Sequence, residues 1–171
     1  MKTTVIGRIW LWSLAVFLSV AVGSSCQIKQ VSPEGATATQ VDNVDLLEGG
    51  PHEGRWEDSN IIINYIYNNQ SDAFEFKGSV ELAPRLTGSF NMVNNFHVRA
   101  NFLDQEKKIL KSITIIIADR QPIRVWRFAH NLDITPETRS INFSYSGQAR
   151  EGGRRRSRVD DGIETSFWRV P

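Results

Sequence analysis

Histidine, carboxylate, thiol and guanidinium groups are what this chain has for chemistry, and their spacing excludes most of what such groups do. His52, His97 and His130 are the three histidines, and none has a second histidine or a cysteine at metal-ligand spacing. Each reads as a solvated or locally hydrogen-bonded ring: His97 on the polar face of a strand, His130 at the end of another. Asp160 and Asp161, with Glu164, form a carboxylate group without the ligand spacing of a calcium loop, and Asp161-Gly162 is an ordinary turn signal. No Gly-x-Ser-x-Gly, phosphate-binding glycine loop or dinucleotide fingerprint occurs. Nothing calls for a metal or cofactor, and the reading is of a protein that is not an enzyme.

Two features remain. Arg154, Arg155, Arg156 and Arg158 place four guanidiniums in five residues, between Gly152-Gly153 and Asp160-Asp161. Such a cluster can grip an anionic headgroup, a phosphate-bearing glycan or an acidic partner protein. It can equally be a solvated loop, its charge offset by Glu151, Asp160, Asp161 and Glu164. The other feature is Cys26, the single cysteine of 171 residues, which excludes an intramolecular disulfide framework. With a net charge of +1 and no base-stacking platform, the chain also lacks the footprint of a nucleic-acid binder.

Cys26 takes its meaning from what precedes it. Lys2 and Arg8 make a basic start, and residues 9–22 (IWLWSLAVFLSVAV) then carry no charge. That run is short for a membrane span of about 20 residues but suits the apolar region of a secretory signal, about 7–15 residues. Gly23-Ser24-Ser25 are small residues at the cleavage position. Residues 1–26 thus resemble the class II signal peptide of bacterial lipoproteins, with Gly23 where that family usually has an aliphatic residue. The resemblance implies that the signal (1–25) is removed, that Cys26 is acylated as the new N-terminus, and that the protein is held in the cell envelope. Gln27 rather than Asp implies the outer membrane. The alternative is an ordinary cut after Gly23, giving a periplasmic or secreted protein.

Removing the signal reveals a charge asymmetry. Residues 27–59 hold two bases and seven acids, whereas the chain from Asn60 onward holds 16 bases and 12 acids. Residues 26–55 show no strand or helix period and carry Pro33-Glu34-Gly35 and Gly49-Gly50-Pro51. They read as a flexible acidic tether, with Val44, Leu46 and Leu47 available for one short docked strand or turn. Residues 56–171 read as one domain with the arginine-rich loop near 150–162.

In that domain apolar residues recur at every second position, the signature of half-buried strands. Strands are expected at 61–67 and at 73–82, where Phe74, Phe76, Val80 and Leu82 share a face with Gly78. Others follow near Phe90 and Met92 with an interruption at Asn94-Asn95, at 96–102, and at 109–118 with Ile109, Ile113, Ile115 and Ile117 on one face. Shorter ones are expected at 125–130, 141–146 and 165–170, with a turn at 133–137. The expected core includes Phe74, Phe76, Phe96, Phe102, Ile113, Ile115, Phe143 and Tyr145. Six to eight short strands in about 110 residues point to an all-β fold. An antiparallel β-sandwich of immunoglobulin-like architecture without its disulfide is expected, a small β-barrel being the alternative.

Three functions are compatible with this reading. The first is a lipid-anchored bacterial envelope protein of non-enzymatic binding or scaffolding type, engaging a partner through a sheet edge or the arginine loop. The second is a carrier or sensor for an apolar small molecule held in a sandwich or barrel cavity. The third is a hydrolase of unrecognised type.

Overall fold

The computed structural model describes residues 32–39, 42–70, 73–151 and 163–171. Two antiparallel sheets pack face to face as a β-sandwich, and they do not close into a barrel. The smaller sheet contains β2 (Gly49–Glu57), β3 (Ile61–Gln70), β4 (Ala73–Leu82) and β8 (Trp126–Leu132), in the order β2-β3-β4-β8. The larger is built on the order β1 (Val44–Asp45), β9 (Ser140–Arg150), β5 (Met92–Leu103) and β6 (Ile109–Ala118). In it β10 (Glu164–Arg169) pairs with β9, and β7 (Gln121–Pro122) pairs with the start of β5. A single helical turn, α1 (Pro84–Thr87), follows β4; Pro84 ends the ladder and occupies a first helical position where no N–H is needed.

Alternation explains β4 and most of β5. In β4 Phe74, Phe76, Val80 and Leu82 are buried between the sheets, as are Phe96, Val98, Ala100 and Phe102 in β5. Their rings interlock across the interior: Phe74 meets Phe102 edge-on at 5.5 Å, Phe76 lies 4.9 Å from Phe128, and Trp56 lies 5.2 Å from Phe143. Each buried ring contributes about 1.5–3 kcal/mol through lost water contact, and well-placed aromatic pairs add about 0.5–1.5 kcal/mol. Gly54 and Gly78 make room for this packing. A β-carbon on Gly54 would collide with the Tyr65 phenol, and one on Gly78 with the Asn64 carbonyl and the Phe128 ring.

Three expectations need correction. The stretch read as a tether to residue 55 is structured well before that point. Gly49–Glu57 is β2, paired along β3, and residues 35–38 dock beside the start of β6 through Gly35 N–H to the Ile109 carbonyl and Ile109 N–H to the Ala36 carbonyl, both 2.8 Å. β2 shows no apolar period because it is an edge strand: Trp56 is buried, Gly54 lies under Tyr65, and Glu53, Arg55 and Glu57 face outward. The expected break at Asn94-Asn95 is a bulge within one continuous β5. Asn95 there takes φ 47°, and its N–H is held by Asp119 Oδ1 at 3.0 Å.

The third correction concerns β6. Val98 pairs with Ile116 but Arg99 pairs with Thr114, so Ile115 is an extra residue, a β-bulge. The bulge reverses the inside/outside order beyond it. Ile115 and Ile116 are both 6% exposed, and Ile117, expected on the buried face, is 67% exposed.

Candidate functional site

The densest polar cluster joins the two sheets where β2 meets β9 and β10. Tyr145 of β9 donates its hydroxyl proton to Asp58 Oδ2 at 2.5 Å and accepts from Asn60 Nδ2 at 2.7 Å. Asp58 sits in the β2–β3 turn, where its Oδ1 accepts the backbone N–H groups of Asn60 and Ile61 at 2.8 and 3.0 Å. Arg169 of β10 places Nη1 3.7 Å from Asp58 Oδ2, pairs through Nη2 with Asp42, and stands 5.0 Å over the Trp56 ring. Trp56 Nε1 donates to the Asp42 carbonyl at 3.2 Å.

This arrangement suits a latch. Burial, then the Asp58 carboxylate that accepts its proton, push the Tyr145 hydroxyl far above the ordinary tyrosine range. A phenol so held stays protonated near neutrality, with its proton given to Asp58 and its oxygen accepting from Asn60. Asp58 and Arg169 are each only 15% exposed at their side chains, and neither lines any of the three surface grooves described below.

A second polar cluster lies on the opposite face of the larger sheet. Asn101 Nδ2 donates to Asn142 Oδ1 at 2.9 Å and to Ser144 Oγ at 3.0 Å, and Ser112 Oγ donates to Asn101 Oδ1 at 2.7 Å. These residues share the outward pleat of β6, β5 and β9, yet Asn101 and Asn142 are fully buried. Glu34 Oε1 accepts the Ser112 N–H at 3.2 Å, so the docked N-terminal segment caps this row.

Open grooves mark the surface of the described residues, three of which bear on the site. One of about 670 Å³ crosses the outer face of the smaller sheet among Arg55, Asn64, Ile66, Lys77, Ser79 and Arg127. Another, of about 570 Å³, lies near α1 with Ile62, Phe90 and Ile123 on its walls. The third, about 510 Å³, runs along the seam where β6 of one sheet meets β8 of the other. Ile115, Ile116 and Ile117 form one wall and Val125 and Trp126 the opposite one, with Arg124 and Arg127 alongside.

The seam groove adjoins a sheet edge that is unpaired among the described residues. β6 pairs with β5 on one side only. The docked segment covers its beginning, from the Thr37–Lys108 bridge to the Ser112 N–H, and no described backbone hydrogen bond continues that ladder over residues 113–118. The sequence there, Ile-Thr-Ile-Ile-Ile-Ala, contains no charge, glycine or proline. Unguarded β-branched edges of this kind are templates for strand pairing. Ile117 and Val125, at 67% and 53% exposed, extend the apolar surface beside it. Trp126 is 5% exposed and its Nε1 is buried without an acceptor among the described residues.

Cys26, Arg154, Arg155, Arg156, Arg158, Asp160 and Asp161 lie outside the described residues. The arginine loop's described flanks are hairpin partners: Arg150 faces Glu164, and Glu151 N–H reaches the Ile163 carbonyl at 3.1 Å. His52 Nε2 lies 3.2 Å from the Glu48 carbonyl, His97 is on the outward pleat opposite Ser146 and Ile117, and His130 is beside Phe128 on β8. Among the described residues no three of His, Cys, Asp or Glu are grouped to hold a metal ion, and no helix is long and apolar enough to cross a membrane. No protein family, curated protein or solved structure matches the chain.

Proposed function

We propose that this protein is a lipid-anchored bacterial envelope protein, held at the membrane by acylated Cys26, that binds a partner without catalysing a reaction. The observation that carries the binding function is the unpaired edge of β6 over residues 113–118 beside its apolar groove. Strand addition to a sheet edge is a general recognition mode in which main-chain hydrogen bonds supply affinity and side-chain pockets supply specificity. The interior contacts among Phe74, Phe76, Phe102 and Phe143 occupy the space that a carrier of apolar molecules would leave open. The signal-like segment before Cys26 supports export and anchoring, since stable attachment requires more than one acyl chain and the lipoprotein family carries three.

Two measurements test this. Cys26→Ala should abolish incorporation of labelled fatty acid into the protein; incorporation unchanged from the parent chain would exclude the anchor. In otherwise intact protein, the thiol of an Ile117→Cys variant should react several-fold more slowly with an impermeant maleimide in native envelopes than after purification in detergent. A Glu53→Cys variant on the β2 edge should react alike in both. Equal reactivity at position 117 would remove the β6 edge from the binding function.

A further inference from the structure

Resting on that reading, we infer that the occupant of the β6 edge is an extended polypeptide segment with an apolar β-strand centre and carboxylates at its flanks. Three observations meet at the seam.

The first is that a short segment of the chain already pairs with the beginning of this edge through a single β-bridge. Residues 35–38 lie antiparallel to the start of β6, with Gly35 N–H to the Ile109 carbonyl, Ile109 N–H to the Ala36 carbonyl and Ala38 N–H to the Lys107 carbonyl, each 2.8 Å. Among the described residues that ladder reaches no further than Ser112, whose N–H is taken by the Glu34 carboxylate. An incoming strand continues the same ladder along residues 113–118, end to end with the chain's own segment. A carboxylate already serves as the acceptor at the junction.

The second observation is the seam's lining. Ile115 and Ile116 form an apolar floor, and Ile117 and Val125 stand exposed beside it, so the centre of the segment must be apolar. Trp126 lines the same groove with a buried, unaccepted indole N–H. The atom has no open surface, so a carbonyl or carboxylate of an incoming strand would remove that deficit only as the Trp126 ring turns toward the groove on strand addition.

The third is charge. Arg124 and Arg127 line the groove and are exposed; Arg124 gives one N–H to Gln121 Oε1 at 2.9 Å and meets no carboxylate among the described residues, whereas Arg120 beyond β6 is already 4.0 Å from Asp119 and adds nothing here. Carboxylates on the segment's flanks complement Arg124 and Arg127. A second copy of this chain paired edge to edge would bring a second Arg124 and Arg127 toward the first, a like-charge juxtaposition that strand pairs disfavour.

The experiment uses the full acylated chain in neutral detergent and a synthetic peptide of alternating valine and threonine with two glutamates at each end. Controls are the same peptide with lysine flanks, and one with prolines at alternate central positions. The glutamate peptide should slow amide exchange at residues 113–118 and shift Trp126 emission, while the proline peptide should do neither. The lysine peptide should bind about tenfold more weakly, the scale of one or two partly exposed charge contacts, and Arg124→Glu with Arg127→Glu should reverse that order.

Protection elsewhere, or equal binding of the glutamate and lysine peptides, overturns the proposal. So does a dimer in sedimentation with residues 113–118 protected before peptide is added, which would make a second copy the occupant. If the Ile117→Cys labelling contrast holds while the peptides show no charge preference, only the partner chemistry falls. Loss of that contrast removes the edge itself.

Discussion

Along one side of the sandwich β2 meets β9 and β10, and along the other β8 meets β6. The first seam is latched. Tyr145 reaches from the larger sheet to Asp58 and Asn60 beside the smaller one, and Arg169 reaches to Asp42, Asp58 and the Trp56 ring. The second seam has a different character. Lys111 Nζ reaches the Asp133 carbonyl across it at 2.7 Å, but residues 113–118 face an apolar groove and Trp126 Nε1 has no acceptor. The strand edges follow suit: β2 carries Pro51, which has no N–H to offer, and outward Glu53, Arg55 and Glu57, whereas β6 presents isoleucines. Core packing is aromatic behind both seams, so the core does not account for the contrast. The latched side ties its two sheets together through side chains of its own, with Arg169 Nε alone of that cluster left without a partner among the described residues, and the open side offers its backbone edge to another strand.

Loss of the Trp56 ring should weaken the latched seam more than any other single change there. Trp56→Ala removes a buried ring, its contact with Phe143, the hydrogen bond to Asp42 and the partner of the Arg169 guanidinium. Deletions of buried tryptophan typically cost about 3–5 kcal/mol, and the added losses place this one at the upper end. Urea unfolding should show it, and a loss below about 2 kcal/mol would mean the latch carries little of the seam's stability.

Tyr145→Phe comes next. It keeps the ring but leaves Asp58 Oδ2 and Asn60 Nδ2 short of a partner, at a cost of about 1–3 kcal/mol for buried polar groups. The same hydroxyl sets an alkaline limit. Folding raises its pKa, so above pH of about 10 the unfolded chain releases a proton that the folded chain retains, and stability falls as pH rises. Tyr65 is also raised, by burial first and then by Tyr67, and adds in the same direction. Stability should be level in this respect below pH of about 10 and decline above it, with a shallower decline in Tyr145→Phe. An unchanged slope would assign the alkaline loss to other groups.

How much of this was legible in the sequence divides along the same line. Alternation marked the bounds of β4 and β6 and the inward residues of β5, because those strands bury one face against a filled core. It missed β2, whose inward positions include a glycine beneath Tyr65, so no apolar period exists to be read. It placed Ile117 inside, because a period of two carries no trace of the extra residue at Ile115. The latch was half legible. Tyr145 was visible as a core residue, but its partners Asp58 and Arg169 lie 87 and 24 positions away and resemble ordinary turn and strand residues. The open edge is a property of sheet order: a run of isoleucines looks the same in a central strand as at an edge.

A finer comparison sets the two seam tryptophans against each other. Trp56→Phe and Trp126→Phe remove the same ring area from buried positions, but only Trp56 gives up a hydrogen bond. Trp126→Phe should therefore cost about 1 kcal/mol less than Trp56→Phe, the net worth of a typical hydrogen bond. Equal costs in urea unfolding would show that water serves the Trp126 indole in the open seam, and the deficit that favours an incoming acceptor would disappear.

Ile117→Lys has the smallest expected effect on the fold and the most selective effect on the edge. The side chain is two-thirds exposed, so stability should change by no more than about 0.5 kcal/mol. The lysine nonetheless stands on the only charge-free stretch of β6, next to Arg124 and Arg127, where it must find water when another strand approaches. Binding of the glutamate-flanked peptide should weaken despite the added positive charge, because the blocked strand matters more than one further exposed ion pair. Peptide-free protein should also aggregate more slowly on agitation, as the uncharged β-branched window is broken. The matching change on the guarded edge, Glu53→Lys, should alter neither property. If both lysines act alike, general surface charge governs association and the two edges are equivalent; if only the one at position 117 acts, the open seam is where this protein meets another strand.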